Sequence, residues 1–163
     1  MNPLKAVFRT GLILLIVTAN IGCDQATKTI VRQRIGYGDT LILLNHHLTL
    51  TRVENPGAFL SIGSSLPPVM KTLLLIGLPL AVLLAGFLYL LLARNVAKLP
   101  LVGGCFVLGG GIGNLFDRVR YGSVTDFLHL QAGIFQTGIF NGADVSIMIG
   151  TGILVACSIL KSR

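Results

Sequence analysis

The sequence predicts an all-α polytopic membrane protein, one domain over residues 1–163, with four transmembrane helices and a small extracytoplasmic β-cradle between the first two. Three observations predict it. Only 12% of the residues are charged, where a soluble domain carries about a quarter. The hydrophobic share is 53% and the mean hydropathy +0.81, so there is too little polar surface to cover a water-soluble globule. The apolar residues also gather into four runs, each of about the 17–25 residues that cross a hydrocarbon core at about 1.5 Å rise per residue.

The predicted spans are residues 6–23, 72–93, 99–116 and 143–160. The first begins with basic residues and ends at Gly22-Cys23, like a cleavable signal with a lipid-accepting cysteine. Asn20 stands where such signals want an aliphatic residue, and three more spans follow, so it reads as a retained helix. Residues 29–34 could extend it. The second span follows Pro67-Pro68 and holds no charge. The third is dense in glycine, and Gly109 and Gly113 make a GxxxG step that lets helix backbones approach closely in lipid. Ser146 and Gly150 make a similar small step in the fourth.

Between spans one and two, Gly36 to Asp39 signal a turn. Residues 40–44 and 48–53, around Asn45-His46-His47, fit two short strands. The whole β unit, about 40–62, is apolar and suits the headgroup boundary better than open water. The second connection, 118–141, is long enough for a short surface helix or a flap.

Charge sets the expected orientation. Lys5, Arg9, Arg94, Lys98, Lys161 and Arg163 fall on one side of the four-span layout, in short segments with no acid. The other side carries all six acids: Asp24, Asp39, Glu54, Asp117, Asp126 and Asp144. The dense acid-free side is the expected cytoplasmic one, with both termini inside. The net charge of +7 then suggests anionic headgroups, not nucleic acid. Cys23, Cys105 and Cys157 lack metal-ligand spacing and read as packing residues; no metal is expected.

The polar groups at span ends carry the chemistry. Asp24, Asn114, Asp117, Arg118, Asp126, Asn141 and Asp144 all map to the same side, at the ends of spans one, three and four. A carboxylate near hydrocarbon is costly unless paired or functional. Asp126 and Asp144, each inside an apolar run, are the candidate pair. Two adjacent carboxyls do not both ionise readily; they share a proton, which suits water-driven peptide hydrolysis. Asn114 and Asn141 could hold the pair by hydrogen bonds. Arg118 could pair with Asp117, hold main chain or contact substrate. Asp24 and Lys28, four apart, fit a helical ion pair. Interfacial ion pairs and helix caps would account for the same residues without catalysis. His46, His47 and His129 have no acids at metal spacing, and there is no nucleotide or redox motif.

Four blocks in order make the sequence resemble the lipoprotein signal peptidases, the signal peptidase II family. They are Asp24 to Lys28; Asn55-Pro56-Gly57-Ala58-Phe59; Gly110 to Val119 continuing to Val124-Thr125-Asp126-Phe127; and Phe140 to Asp144. The resemblance implies an intramembrane aspartic endopeptidase that cuts diacylglyceryl-modified prolipoproteins just before the lipidated cysteine. It implies catalytic Asp126 and Asp144, supporting Asn114, Arg118 and Asn141, and further site-shaping positions Asp24, Lys28, Asn55, Gly57, Ala58 and Phe59. It implies no metal or organic cofactor. The setting is the bacterial cytoplasmic (inner) membrane, with the site at the outer surface. The expected partners are prolipoproteins and membrane lipids, with no nucleic acid, and the expected state is a monomer. Pro56, Gly142 and Val145 depart from the commoner family residues at the pocket rim. A small proton-coupled transporter subunit would use the same acids as a relay, but would place polar groups near the midplane and show more spans or a repeat. An inactive lipid-binding scaffold of the same fold is the other alternative.

Overall fold

The computed structural model describes residues 3–58, 61–93 and 95–161. Among them, four helices are long and apolar enough to cross a membrane: α1 (Pro3–Arg34), α2 (Pro68–Leu92), α3 (Lys98–Tyr121) and α4 (Gly142–Lys161). The helix α1 runs 32 residues without a break. It outreaches its apolar run because residues 24–34 continue it towards the sheet. Helix α2 contains one π turn, Leu73–Gly77, where the Leu78 N–H reaches back to Leu73 O. Pro79, which can donate no backbone hydrogen bond, follows directly, and the widened turn absorbs it. Helix α3 ends at Gly122, whose φ of 75° lets its N–H close onto Arg118 O.

Four antiparallel strands form one sheet in the order β1 (Thr40–Leu43), β2 (Leu48–Asn55), β3 (Val124–Ala132) and β4 (Phe135–Gln136). The cradle is thus not built from the first connection alone. The second connection, where a helix or flap was expected, supplies β3 as a central strand. Its first four residues, Val124 to Phe127, are all buried, so the period-two alternation that marks a half-exposed strand is missing. In register, Val53 faces Asp126 and Asn55 faces Val124, with an irregularity between Leu50 and Val53.

Helix α3 is the hub. It contacts α1, α2 and α4, most heavily α4. A buried cluster of Ile13, Val17, Leu90, Leu101, Cys105 and Leu108 ties α1, α2 and α3 together away from the sheet. At the sheet end, Val31 of α1 and Ile35 just beyond it pack on Phe127 of β3. Glycine sets the α3–α4 distance: a Cβ on Gly150 would lie 2.5 Å from Gly103 O and 2.8 Å from the Val107 N. Elsewhere the helix surfaces are apolar and open, as lipid-facing surfaces are. Val82 is 61% exposed, and Leu15 65%.

Candidate active site

The sheet end of the bundle gathers the polar residues singled out in the sequence. Asp144 sits in the first turn of α4. Asn141, just before that helix, accepts the Asp144 N–H on its Oδ1 at 3.1 Å, while the Asn141 N–H donates to Asp144 Oδ2 at 3.1 Å. This reciprocal arrangement satisfies amides that a helix N-terminus leaves unpaired. Asn114 Nδ2 donates to Asp144 Oδ1 at 2.8 Å. Asp126 lies not at a span end but on β3. Its Oδ1 accepts from Asn141 Nδ2 at 2.6 Å and its Oδ2 from Asn55 Nδ2 at 3.0 Å. Asn141 therefore holds both carboxylates at once, one through its side chain and one through its main chain.

Both acids line a single cleft of about 60 Å³, walled also by Asn55, Ala58, Asn114 and Arg118. The cleft holds no more than a water or two. Burial pushes the Asp126 carboxyl up to about 6 from its ordinary 3.8, and the neighbouring Asp144 charge adds to the rise; the Asn55 and Asn141 hydrogen bonds and the Lys28 charge oppose it.

Arg118 does not pair with Asp117. Its Nη2 donates to Gly57 O at 3.0 Å, and its Nε has no hydrogen-bond partner among the described residues. The loop it grips is tightly made. Asn55 Oδ1 accepts from Gly57 N–H at 3.0 Å and Asn55 Nδ2 donates to Ala58 O at 3.0 Å. A Cβ on Gly57 would come within 2.6 Å of the Ser61 and Ile62 carbonyl oxygens, so no side chain fits there. Phe59 lies outside the described residues.

Asp24 and Lys28 form the expected helical pair at 2.8 Å, but they belong to a larger buried cluster. Lys28 is fully buried; its Nζ also lies 3.0 Å from Asp117 Oδ2 and donates to Asn114 Oδ1 at 2.9 Å. A lysine can only donate, so it must face the oxygen of Asn114, and the amide nitrogen is thereby turned towards Asp144. Arg32 pairs with Asp117 at 3.0 Å, and Gln25 bonds Asp24 and Asp117 at 3.1 and 3.0 Å. Asp24 Oδ1 accepts the Ala143 N–H at 2.9 Å, fixing the start of α4 to α1. Arg32 Nε reaches Thr125 Oγ1 at 2.8 Å, and Thr125 Oγ1 donates to Glu54, joining the cluster to the sheet. Sequence reading missed Gln25, Arg32, Thr125 and Glu54 as a connected set. Their one signal was spacing: Gln25 and Arg32, seven apart, share a helix face with Lys28. Among the described residues no group of His, Cys, Asp and Glu is placed to hold a metal ion.

Comparison with known proteins agrees with this architecture. Residues 16–160 match the family model described as signal peptidase (SPase) II. A protein of Syntrophus aciditrophicus named lipoprotein signal peptidase is 33% identical over 93% of this chain and 96% of its own. A protein of the same name from Clostridium acetobutylicum is 32% identical over 91% of this chain and 94% of its own. Two solved bacterial membrane enzymes, both determined by the in meso method, superpose with TM-scores of 0.84 and 0.81 at 26% and 28% identity. Each superposition covers 94% of this chain, and 90% and 95% of the respective neighbours. With four apolar helices and this match along nearly its whole length, the chain is a multi-pass membrane protein that belongs to the signal peptidase II family.

Proposed function

We propose that the chain removes signal peptides from lipoproteins as an aspartic endopeptidase, with Asp126 and Asp144 as its catalytic pair. The observation that carries the mechanism is the single cleft in which Asn141 bridges the two carboxyls. Two acids so placed share one proton and titrate as a unit. The ionised member takes a proton from a water, and that water's oxygen bonds to the scissile carbonyl carbon. The protonated member donates its proton to the carbonyl oxygen, giving a neutral tetrahedral intermediate. As the intermediate collapses, one of its hydroxyls gives its proton to the ionised acid, the C–N bond breaks, and the leaving nitrogen takes the proton held by the other acid, so the pair again holds one proton. No metal or organic cofactor enters this scheme. Arg118, a wall of the cleft whose Nε has no hydrogen-bond partner among the described residues, supports it as a donor for a carbonyl of bound substrate. Asn114, Asn141 and Asn55 hold the carboxyls, Asp24 and Lys28 hold Asn114 and α4, and Gly57 and Ala58 shape the rim.

The substrates in this reading are prolipoproteins whose cysteine already carries diacylglycerol, cut just before that cysteine. The cleft lies where apolar helices meet the sheet, so the acyl chains can remain in the bilayer while the scissile bond meets the acids. The acid-free far end, with Lys98 and Lys161, supports an orientation with both termini in the cytoplasm and the site at the outer surface of the bacterial cytoplasmic membrane. The state in this reading is a monomer.

A gel-shift cleavage assay checks the reading. The purified chain, given a diacylglyceryl-modified prolipoprotein, should release the signal peptide. Asp126→Asn and Asp144→Asn should each lower kcat by roughly a thousandfold or more, since the two acids act as one unit. An intact substrate with well-folded unsubstituted chain, or retained activity in either variant, sinks the assignment.

A further inference from the structure

Around α3, rows of residues seven apart face different neighbours. Gly103 and Gly110 seat α4: a Cβ on Gly103 would meet Gly150 O at 3.0 Å, and one on Gly110 would run into the Ala143 carbonyl. Gly104 and Gly111, one residue further round, seat α2 beneath Leu90 and Leu83. One residue turns a helix by about 100°, so α2 and α4 flank α3 with a seam between them. A third row, Pro100, Val107 and Asn114, runs along that seam.

Nothing among the described residues fills it. Midway lies an apolar cavity of about 330 Å³, whose walls include Val82 and Gly86 of α2, Val107 of α3 and Leu154 of α4. A Cβ on Gly86 would meet only Leu108, at 3.3 Å. Nearer the sheet a second cavity of about 200 Å³ lies between α2 and α3, lined by residues that include Pro68, Lys71, Leu75 and Arg118. Arg118 is also a wall of the cleft that holds Asp126 and Asp144. The α1–α4 flank is closed instead: Ser146 Oγ donates to Asn20 at 2.7 Å, and Ala143 N–H is bound to Asp24. Of the two flanks of α4, the one towards α2 is the open one.

We propose that this seam is the docking surface for the apolar helix of the substrate's signal peptide, laid along Pro100, Val107 and Asn114 so that its end reaches the two acids. The inference rests on the peptidase reading and extends it. A row repeating every seven residues is the pattern by which a helix takes a partner helix along its length. From Pro100 to Asn114 the row is about 21 Å long, and a signal's apolar core of about 7–15 residues has a helical length of up to about 22 Å. The lining is apolar in the middle and polar at the catalytic end, which matches a signal helix leading into a lipidated cleavage site; at the far end Pro100 also lines a cavity with Asn95 and Lys161.

The experiment has two arms. In the first, a photo-reactive benzoylphenylalanine replaces Val82, Leu154 or, as a control, Leu15 on the open face of α1. Each is made in an Asp144→Asn chain and mixed in vesicles with an intact lipid-modified prolipoprotein. Cross-links from positions 82 and 154 to the apolar core of the signal, and none from position 15, are expected. In the second, Gly86→Leu fills the seam. It should raise KM for the full prolipoprotein by roughly tenfold while leaving a short lipopeptide without the apolar core cleaved at the unsubstituted rate, a split that separates docking from chemistry. The lipopeptide also reports that the variant folds. Equal cross-linking at all three positions, cross-links to lipid alone, or no preferential loss for the full substrate in Gly86→Leu overturns the seam while the peptidase reading stands. If the unsubstituted chain cleaves neither substrate, the peptidase reading falls and takes this inference with it.

Discussion

Lys28 is the residue on which most of the polar end depends. Its ammonium is the cation shared by Asp24 and Asp117, and it turns Asn114 towards Asp144. Replacing one member of such a buried set strands the others, at a cost of about 3–5 kcal/mol. Lys28→Met should therefore lower the thermal unfolding midpoint in detergent far more than a Lys71→Met change on the surface of α2 would. Asp126 makes a second, pH-dependent prediction. Its carboxyl holds a proton up to about pH 6 in the folded chain, against an ordinary 3.8. The folded state therefore binds the extra proton: the favourable contribution is complete below the unfolded value and is lost as pH rises through about 6. At pH 8 the folded chain carries a buried carboxylate costing on the order of 3 kcal/mol. The unfolding midpoint should therefore fall as pH rises from 4 to 8, and Asp126→Asn, which cannot titrate, should flatten that dependence. The sequence made the pairing of Asp24 with Lys28 readable, because four residues make one helical turn. It could not show that Asp117 and Asn114 close the same cluster, because they lie on a different helix almost ninety positions away.

At the scale of elements, glycine placement in α3 decides where its neighbours sit. The GxxxG step at Gly109 and Gly113 was visible in the sequence, yet it seats α1: a Cβ on Gly109 would lie 2.5 Å from Asn20 Cβ, and one on Gly113 2.6 Å from Asp24 Oδ2. The close backbone approaches to α4 fall instead at Gly110, against the Ala143 carbonyl, and at Gly103, against Gly150. Gly150→Val should push α4 away from α3 and destabilise the fold by about 1–3 kcal/mol, as overpacking does. Thermal unfolding followed by circular dichroism measures it, and Gly152→Val, at a position with open space, is the matched control. The helices were legible because apolar runs of span length have few other readings. The strand β3 was not. Residues buried on both faces show no alternation, and a partner strand seventy residues earlier leaves no local mark.

At the scale of the whole molecule, four apolar helices end in one polar face that is roofed by the sheet. The acid-free end opposite defines the expected orientation, and thiol labelling checks it. In a chain whose three cysteines are replaced by alanine, a cysteine at Asn45, in the β1–β2 turn, should react with a membrane-impermeant maleimide in intact spheroplasts. A cysteine at Lys98 should react only after permeabilisation. The reverse pattern would invert the topology and with it the outward placement of the site. Family blocks in the sequence located the candidate pair and Asn141 beside it, and the fold adds how that asparagine spans both acids, by side chain to Asp126 and by main chain to Asp144.

The Asp24–Lys28 contact also bears on how the chain is made. Both residues lie on the helix that leaves the ribosome ahead of the other three, one turn apart, with their charged atoms 2.8 Å apart. That helix brings its own counter-ion into the insertion machinery, so neither charge has to wait for a later segment before it is neutralised. Asp117 arrives with the third helix, and the pair already in place, with Arg32 beside it, gives that late carboxylate two cations to meet. The order of the helices along the chain is thus also a workable order of assembly in the bilayer.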